Sequence, residues 1–154
     1  MVIVTAETPV QFQQAAGLFQ EYAAGLGFDL AFQGFDAELE NLPVMYGPPD
    51  GCLLLVMSPG GEAVGCVGLR RLADGACEMK RLYVKPDIHG QGLGRRLAEA
   101  VIAEARALGY AAVRLDTVAE MAAANALYLS LGFRPIPAYR YNPLETAAYY
   151  ELPL

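Results

Sequence analysis

The stretch from Val84 to Leu97, VKPDIHGQGLGRRL, does most to limit the folds open to this chain. Before it the sequence reads as strands. After it Leu93, Leu97, Val101, Ala105 and Leu108 recur at helical spacing up to Gly109, which suits a C-terminal cap. Between the two, Pro86 lacks the N–H that a ladder needs and stops the strand, and Gly90, Gly92 and Gly94 alternate where the helix begins. Without Cβ atoms this backbone takes φ > 0 and turns successive N–H groups toward one point. A helix start adds free amides and the positive end of its dipole. The expected guest is a phosphate or pyrophosphate. Arg95 and Arg96 stand in the first turn, where cations are slightly unfavourable to the bare dipole, and a bound polyanion offsets that.

Other phosphate-binding loops fit less well. A P-loop requires Lys-Ser/Thr after its last glycine, where this chain has Arg95-Arg96. The dinucleotide fingerprint G-x-G-x-x-G/A fails in both registers, since its last position falls on Arg95 or Leu97. Asp116 does lie about 20 residues downstream at a strand end, as a ribose-binding acid should. The bland alternative is that the glycines only let the helix pack closely.

The rest of the chain fits an α/β fold. Val2 to Thr5 read as a strand, and Thr8-Pro9-Val10-Gln11 offers a helix N-cap, a proline at the first helical position and a capping-box glutamine. Phe12, Ala15, Ala16, Phe19 and Tyr22 continue that helix to Gly25 and Gly27. Phe28 to Asp50 is the least legible segment, with a helical patch at Asp36 to Leu42 closed by Pro43. Three extended runs then follow, 52–57, 63–72 and 77–84, separated by Pro59-Gly60-Gly61 and Asp74-Gly75, which predicts an antiparallel meander. A strand at Ala112 to Asp116, a helix at about Ala122 to Leu131, and two β segments, from Phe133 and over Ala147 to Leu152, close the chain.

With 55% hydrophobic residues, 154 residues suffice for one core, so 1–154 is expected to be a single domain. Seventeen acids against 11 bases, a formal charge of −6, argue against nucleic acid as partner. Cys52, Cys66 and Cys77 have no metal-type spacing and lie in apolar runs, which suggests no metal and a reducing, cytoplasmic setting. Without a basic N-terminal region or an apolar run of about 18 residues, neither secretion nor a membrane partner is expected.

The run from Val84 to Leu97 resembles motif A of the GNAT acetyltransferases, Gln/Arg-x-x-Gly-x-Gly/Ala, with Gly92 and Gly94 at its glycines and His89 where Gln or Arg is usual. The run from Ala124 to Phe133, ANALYLSLGF, resembles motif B, A-x-x-L-Y-x-x-x-G-F. The resemblance implies a mixed, mostly antiparallel sheet of about seven strands flanked by about four helices, with acetyl-CoA as co-substrate and no metal. It also implies transfer of the acetyl group to a primary amine of a small molecule, by direct attack in a ternary complex. A protein or peptide amine, or a CoA-binding module without catalysis, are the alternatives. Family homodimers are common, and the apolar run Ala147 to Leu154 is a candidate interface.

Carried onto this chain, the resemblance implies that Leu82, Tyr83 and Val84 pair with pantetheine through backbone groups. An amide there would face the thioester oxygen, where charge develops. His89, Gly90, Gln91, Gly92, Leu93, Gly94 and Arg95 would surround the pyrophosphate, and Asn125 would contact the coenzyme. Met121 stands where the family often has asparagine. Tyr128 matches the tyrosine that protonates the leaving thiolate, a task that suits a phenol with pKa about 10. Its other reading is a packed aromatic. An alkylammonium acceptor must lose a proton before attack, and Glu78 is the first candidate base, since alternation puts it on the same face as Leu82 and Val84. Glu78 reads equally well as a solvated strand glutamate or as an ion-pair partner of Lys80 or Arg81. Glu21 and Glu38 are weaker candidates. Phe19, Tyr22, Phe28, Phe32, Tyr46, Tyr139, Tyr141 and Tyr149 are candidate acceptor-pocket or core aromatics, and the acidic balance suggests a cationic acceptor.

Overall fold

Turn chemistry sets the middle of the chain. In the computed structural model, which describes Met1–Leu154, β2 (Cys52–Met57), β3 (Ala63–Arg71) and β4 (Ala76–Val84) form the predicted antiparallel meander. β1 (Val2–Thr5) adds to the free edge of β2. β5 (Ala112–Val118) joins β4 in the sheet's one parallel pairing, and β7 (Ala147–Pro153) lies antiparallel between β5 and β6 (Arg134–Ile136). The result is a seven-stranded mixed sheet in the order β1-β2-β3-β4-β5-β7-β6. β7 is an inner strand, paired with β5 along its whole length and with β6 over Tyr149 to Glu151.

Helices cover both faces. α1 (Pro9–Ala24) starts with the predicted capping box: the Gln11 amide donates to Thr8 Oγ1 at 3.2 Å, and the Thr8 amide donates to Gln11 Oε1 at 3.0 Å. Its Ala15, Leu18 and Phe19 pack on Leu53, Leu55 and Cys66 of the sheet. α4 (Leu93–Ala107) covers the other face, where Leu97, Val101 and Ala105 meet Leu54, Val67 and Leu69. Leu97 and Val101 are fully buried, and such burial contributes about 1.5–3 kcal/mol per side chain. Strand residues 52–56 thus alternate between two cores. α5 (Ala122–Ser130) lies beside α4's start, with Tyr128 buried. The segment predicted as one patch is two short helices, α2 (Phe35–Glu40) and α3 (Leu42–Met45). Pro43 opens the second instead of closing the first, as its missing N–H allows in a first helical turn.

β4 is not regular. Cys66 pairs with Tyr83 and Gly68 with Lys80, so two residues of β4 stand opposite one of β3, and Arg81 has φ 61°. This bulge reverses the side-chain parity of the strand. Cys77 and Met79 before it, and Leu82 and Val84 after it, pack on the α4 side. Lys80 and Arg81 both turn to the other face, toward Gln33 and Glu38. The expectation that Glu78 shares a face with Leu82 and Val84 is therefore corrected: alternation holds up to Lys80 and then slips by one.

Candidate functional site

β4 and β5 pair over three rungs only, Ala76↔Ala112, Cys77↔Val113 and Glu78↔Arg114. Beyond Glu78 the strands part, because β4 turns at its bulge while β5 stays in register with β7 for four more residues, Leu115 to Val118. Beyond the third rung, β4 has no strand partner on that side.

A groove of about 770 Å³ runs from this gap. Leu82, Tyr83 and Val84 form one wall, Ala122 to Ala124 and Leu127 of α5 the other, and His89, Gly90, Gly92, Leu93 and Gly94 the far end. Gly90 and Gly92 have φ of 85° and 75°, and a Cβ added at either would meet open space, so backbone conformation alone asks for glycine there. Gly92 caps α4 without a side-chain hydrogen bond, which leaves first-turn amides available to an anion. His89 Nε2–H donates to the Val84 carbonyl at 2.7 Å, tying the loop to the end of β4.

Three expected coenzyme contacts lie outside the groove lining: Gln91, Arg95 and Asn125. The Arg95 guanidinium donates to the Ser130 hydroxyl and lies 3.7 Å from the Glu99 carboxylate. Asn125 accepts from the Thr117 hydroxyl at 2.8 Å and donates to the Val118 carbonyl at 3.0 Å, which fastens α5 to β5.

Where the strands separate, the groove adjoins a smaller cavity of about 40 Å³, and the two share Tyr22, Leu82 and Met121. Tyr128 lines this cavity, with its ring tilted against Phe133 and Tyr150 at 5.8 and 6.5 Å. Burial, with Tyr22 and Asp116 nearby, raises its pKa, so the phenol holds its proton. Lys80 and Arg81 enter from β4 and Asp116 from β5. Of the aromatics proposed for an acceptor pocket, Tyr22 and Phe28 line the cavity. Phe19 and Tyr46 are core, Phe32 and Tyr141 are exposed, and Tyr139 packs edge-on against Tyr149.

Glu78 lines neither space. Its side chain is fully buried, accepting from Arg70 Nε at 2.9 Å, from the Tyr139 hydroxyl at 2.6 Å and from Arg140, with Lys80 Nζ 3.9 Å away. Burial by itself would raise its pKa, but Lys80, Arg140, the Tyr139 hydrogen bond and Arg70 together hold it below the ordinary carboxylate value. A carboxylate so engaged binds a proton poorly and touches no cavity. Glu38 is likewise committed: Arg81 donates to it twice, at 2.9 and 2.8 Å, and Tyr46 once, at 2.9 Å. Glu21 accepts from the Tyr83 hydroxyl at 3.1 Å on the outer side of the groove.

The cavity also holds Lys80 and Asp116, two ionisable groups that the sequence did not single out for this role. Lys80 is 7% exposed, and burial first, then the charge of Arg81, lowers its pKa to about 8 against the opposing pull of Glu78. A signal was present in Glu78-Met79-Lys80-Arg81, three charges within a strand that must be buried, because buried charges are rare without a task or a partner. The net charge of −6 misleads here, since the cavity walls contribute two cations and one carboxylate.

Comparison with known proteins gives a consistent picture. The acetyltransferase (GNAT) family matches over residues 17–133. An uncharacterized N-acetyltransferase of Schizosaccharomyces pombe is 38% identical over 151 residues, covering 97% of this chain and 93% of that protein. Among solved structures, the ribosomal-protein-S18-alanine N-acetyltransferase of Escherichia coli is 25% identical with a TM-score of 0.73, covering 99% of this chain and 92% of its own. Salmonella typhimurium yncA, solved with its cofactor acetyl-CoA, is 21% identical with a TM-score of 0.69 over 99% of this chain and 93% of its own, a likeness of fold.

Proposed function

Since the chain belongs to the GNAT acetyltransferase family and carries out acetyl-CoA-dependent N-acetylation, we propose that its acceptor is the primary amine of a small molecule, acetylated by direct attack in a ternary complex. The observation that carries this reading is the junction of groove and cavity at Tyr22, Leu82 and Met121, between strands that have parted, with Tyr128 on the cavity wall.

Acetyl-CoA brings the acetyl group as a thioester. The residues present suit it: Gly90, Gly92 and the uncapped start of α4 offer amides to the phosphates, and the free edge of β4 at Leu82 to Val84 offers backbone groups to the pantetheine. A β4 amide stabilises the charge that develops on the thioester oxygen, the kind of contribution that often dominates acyl transfer. Tyr128, kept protonated by burial, donates its proton to the departing sulfur. Asp116 is the carboxylate that borders the cavity, so it takes over the role first considered for Glu78: it accepts a proton from the acceptor ammonium, directly or through water.

Direct attack is favoured over a covalent enzyme intermediate because the thiols are unsuited to one. Cys52, Cys66 and Cys77 are buried and line neither space, and burial pushes the thiols of Cys52 and Cys77 up to about 12. Three free cysteines also suit a cytoplasmic setting, and no helix is long and apolar enough to cross a membrane. We assign no metal or nucleic acid to the reaction. A homodimer through the outer faces of β7 is the assembly this reading includes.

The test is calorimetric titration with acetyl-CoA, followed by a screen of small primary amines for release of free thiol. Micromolar binding and turnover of at least one amine are expected. Tight binding with no turnover across the screen would make the chain a coenzyme-binding module, and no binding would remove the enzyme reading.

A further inference from the structure

We propose that the acceptor is a small amino acid, with its ammonium on Asp116 and its carboxylate on Lys80. This rests on the acetyltransferase reading above and adds the acceptor's chemical class.

The first observation is an unmet acceptor. Asp116 Oδ2 is the buried side-chain oxygen with no hydrogen-bond partner, in a side chain only 10% exposed. The nearest cation, Arg140 Nη1, is 3.9 Å away, beyond hydrogen-bond reach. A buried carboxylate oxygen left so is costly unless something else meets it.

The second is an unmet donor. The Lys80 ammonium has three N–H groups and a side chain 4% exposed. One reaches Gln33 Oε1 at 3.4 Å, and the Glu78 oxygen at 3.9 Å is too distant to accept another. Arg81 does not compete for a ligand anion, because Glu38 already engages it at two nitrogens.

Both groups line the same cavity, on the two strands that diverge, and neither is ion-paired with the other. A simple alkylammonium would satisfy Asp116 but would leave the Lys80 N–H groups without an acceptor. A zwitterion meets both needs and adds no net charge. The cavity of about 40 Å³ holds roughly three waters. That room suits the amino and carboxylate groups of glycine, alanine or β-alanine, with Tyr128 on the wall of the same cavity.

The test compares amines that differ only in the carboxylate: glycine against methylamine, and L-alanine and β-alanine against ethylamine, with acetyl-CoA saturating and free thiol measured. At least one amino acid should exceed its decarboxylated partner in kcat/KM by about 10- to 100-fold, as expected of a charge-assisted hydrogen bond. Lys80→Met should remove most of that preference, and the loss should fall on the acceptor KM. Its acetyl-CoA affinity, measured in parallel, reports whether the variant folds. The comparison on the unaltered protein does not depend on any variant. Equal or better turnover of the decarboxylated amines overturns this inference and leaves the acetyltransferase reading standing, as does a preference that survives Lys80→Met. Binding of acetyl-CoA with no turnover on either set overturns this inference, and the wider amine screen then decides the acetyltransferase reading.

Discussion

Replacing Glu78 with glutamine separates a base from a structural knot. The side chain keeps its size but loses its charge, and Arg70, Arg140 and Lys80 lose their shared counter-ion. Breaking a buried ion pair from one side costs about 3–5 kcal/mol. Arg70 and Arg140 keep side-chain exposures of 29% and 24% and can turn toward water, which argues for the lower end. At about 2–4 °C per kcal/mol for a chain of this size, a loss of about 3 kcal/mol lowers Tm by about 6–12 °C. The pH dependence has a definite sign. A carboxyl whose folded pKa is depressed contributes stability that is complete above its unfolded value and is lost as pH falls through the folded one. The gap between native protein and variant should therefore close in acid. Below the variant's melting range, kcat should stay within about tenfold of the native value, whereas loss of a general base costs about 100- to 10,000-fold. Thermal denaturation and thiol release on one preparation decide the matter. A hundredfold fall in kcat with Tm unchanged would refute this reading and restore Glu78 as the base.

Tyr128→Phe should lower kcat by about 100-fold or more while acetyl-CoA affinity by calorimetry changes little; equal turnover would remove Tyr128 from the mechanism. Gly68→Ala would bring a Cβ to 2.7 Å from the Tyr46 ring, whose hydroxyl holds Glu38 in place. Overpacking of this kind costs about 1–3 kcal/mol, so a melting curve identical to the native one would contradict the packing described. Propionate, a carboxylate without an amine, should inhibit competitively against the acceptor. Arg81 and Glu78 on its own strand, and Arg70 and Asp116 on the flanking strands, surround Lys80, whose pKa is lowered to about 8. The ammonium is the binding form, so the inhibition constant should rise by up to about tenfold per pH unit above pH 8. A constant that stays flat from pH 7 to 9.5 would exclude Lys80 as the anion's partner.

The parts of the fold that follow from local rules were legible. Capping at Thr8, the turns between β2, β3 and β4, and the glycine joint before α4 each leave a short-range signature, and each element was expected near its observed bounds. What escaped depends on events that carry no such signature. The bulge at Arg81 needs φ 61° at a residue with a side chain, and no glycine marks it. One slipped residue was enough to misassign the face of Glu78. The partners of Glu78 come from β3 and from Tyr139-Arg140, 61 and 62 residues downstream, a proximity that periodicity cannot reveal. Asp116 stood out only as a candidate ribose ligand. Its importance appears once β5 has been brought alongside β4 and the two have separated.

The early end of the β4–β5 ladder also divides this protein's sequence into parts with different freedom to change. In the function proposed above, recognition on one side of the fork rests on main-chain amides and on two glycine conformations, which most substitutions elsewhere leave untouched. On the other, the proposed acceptor site rests on a few side chains, Lys80 and Asp116 foremost. On that reading, exchanging Lys80 would change which amine is accepted without disturbing the grip on the donor, whereas Asp116, as the proposed base, has to stay.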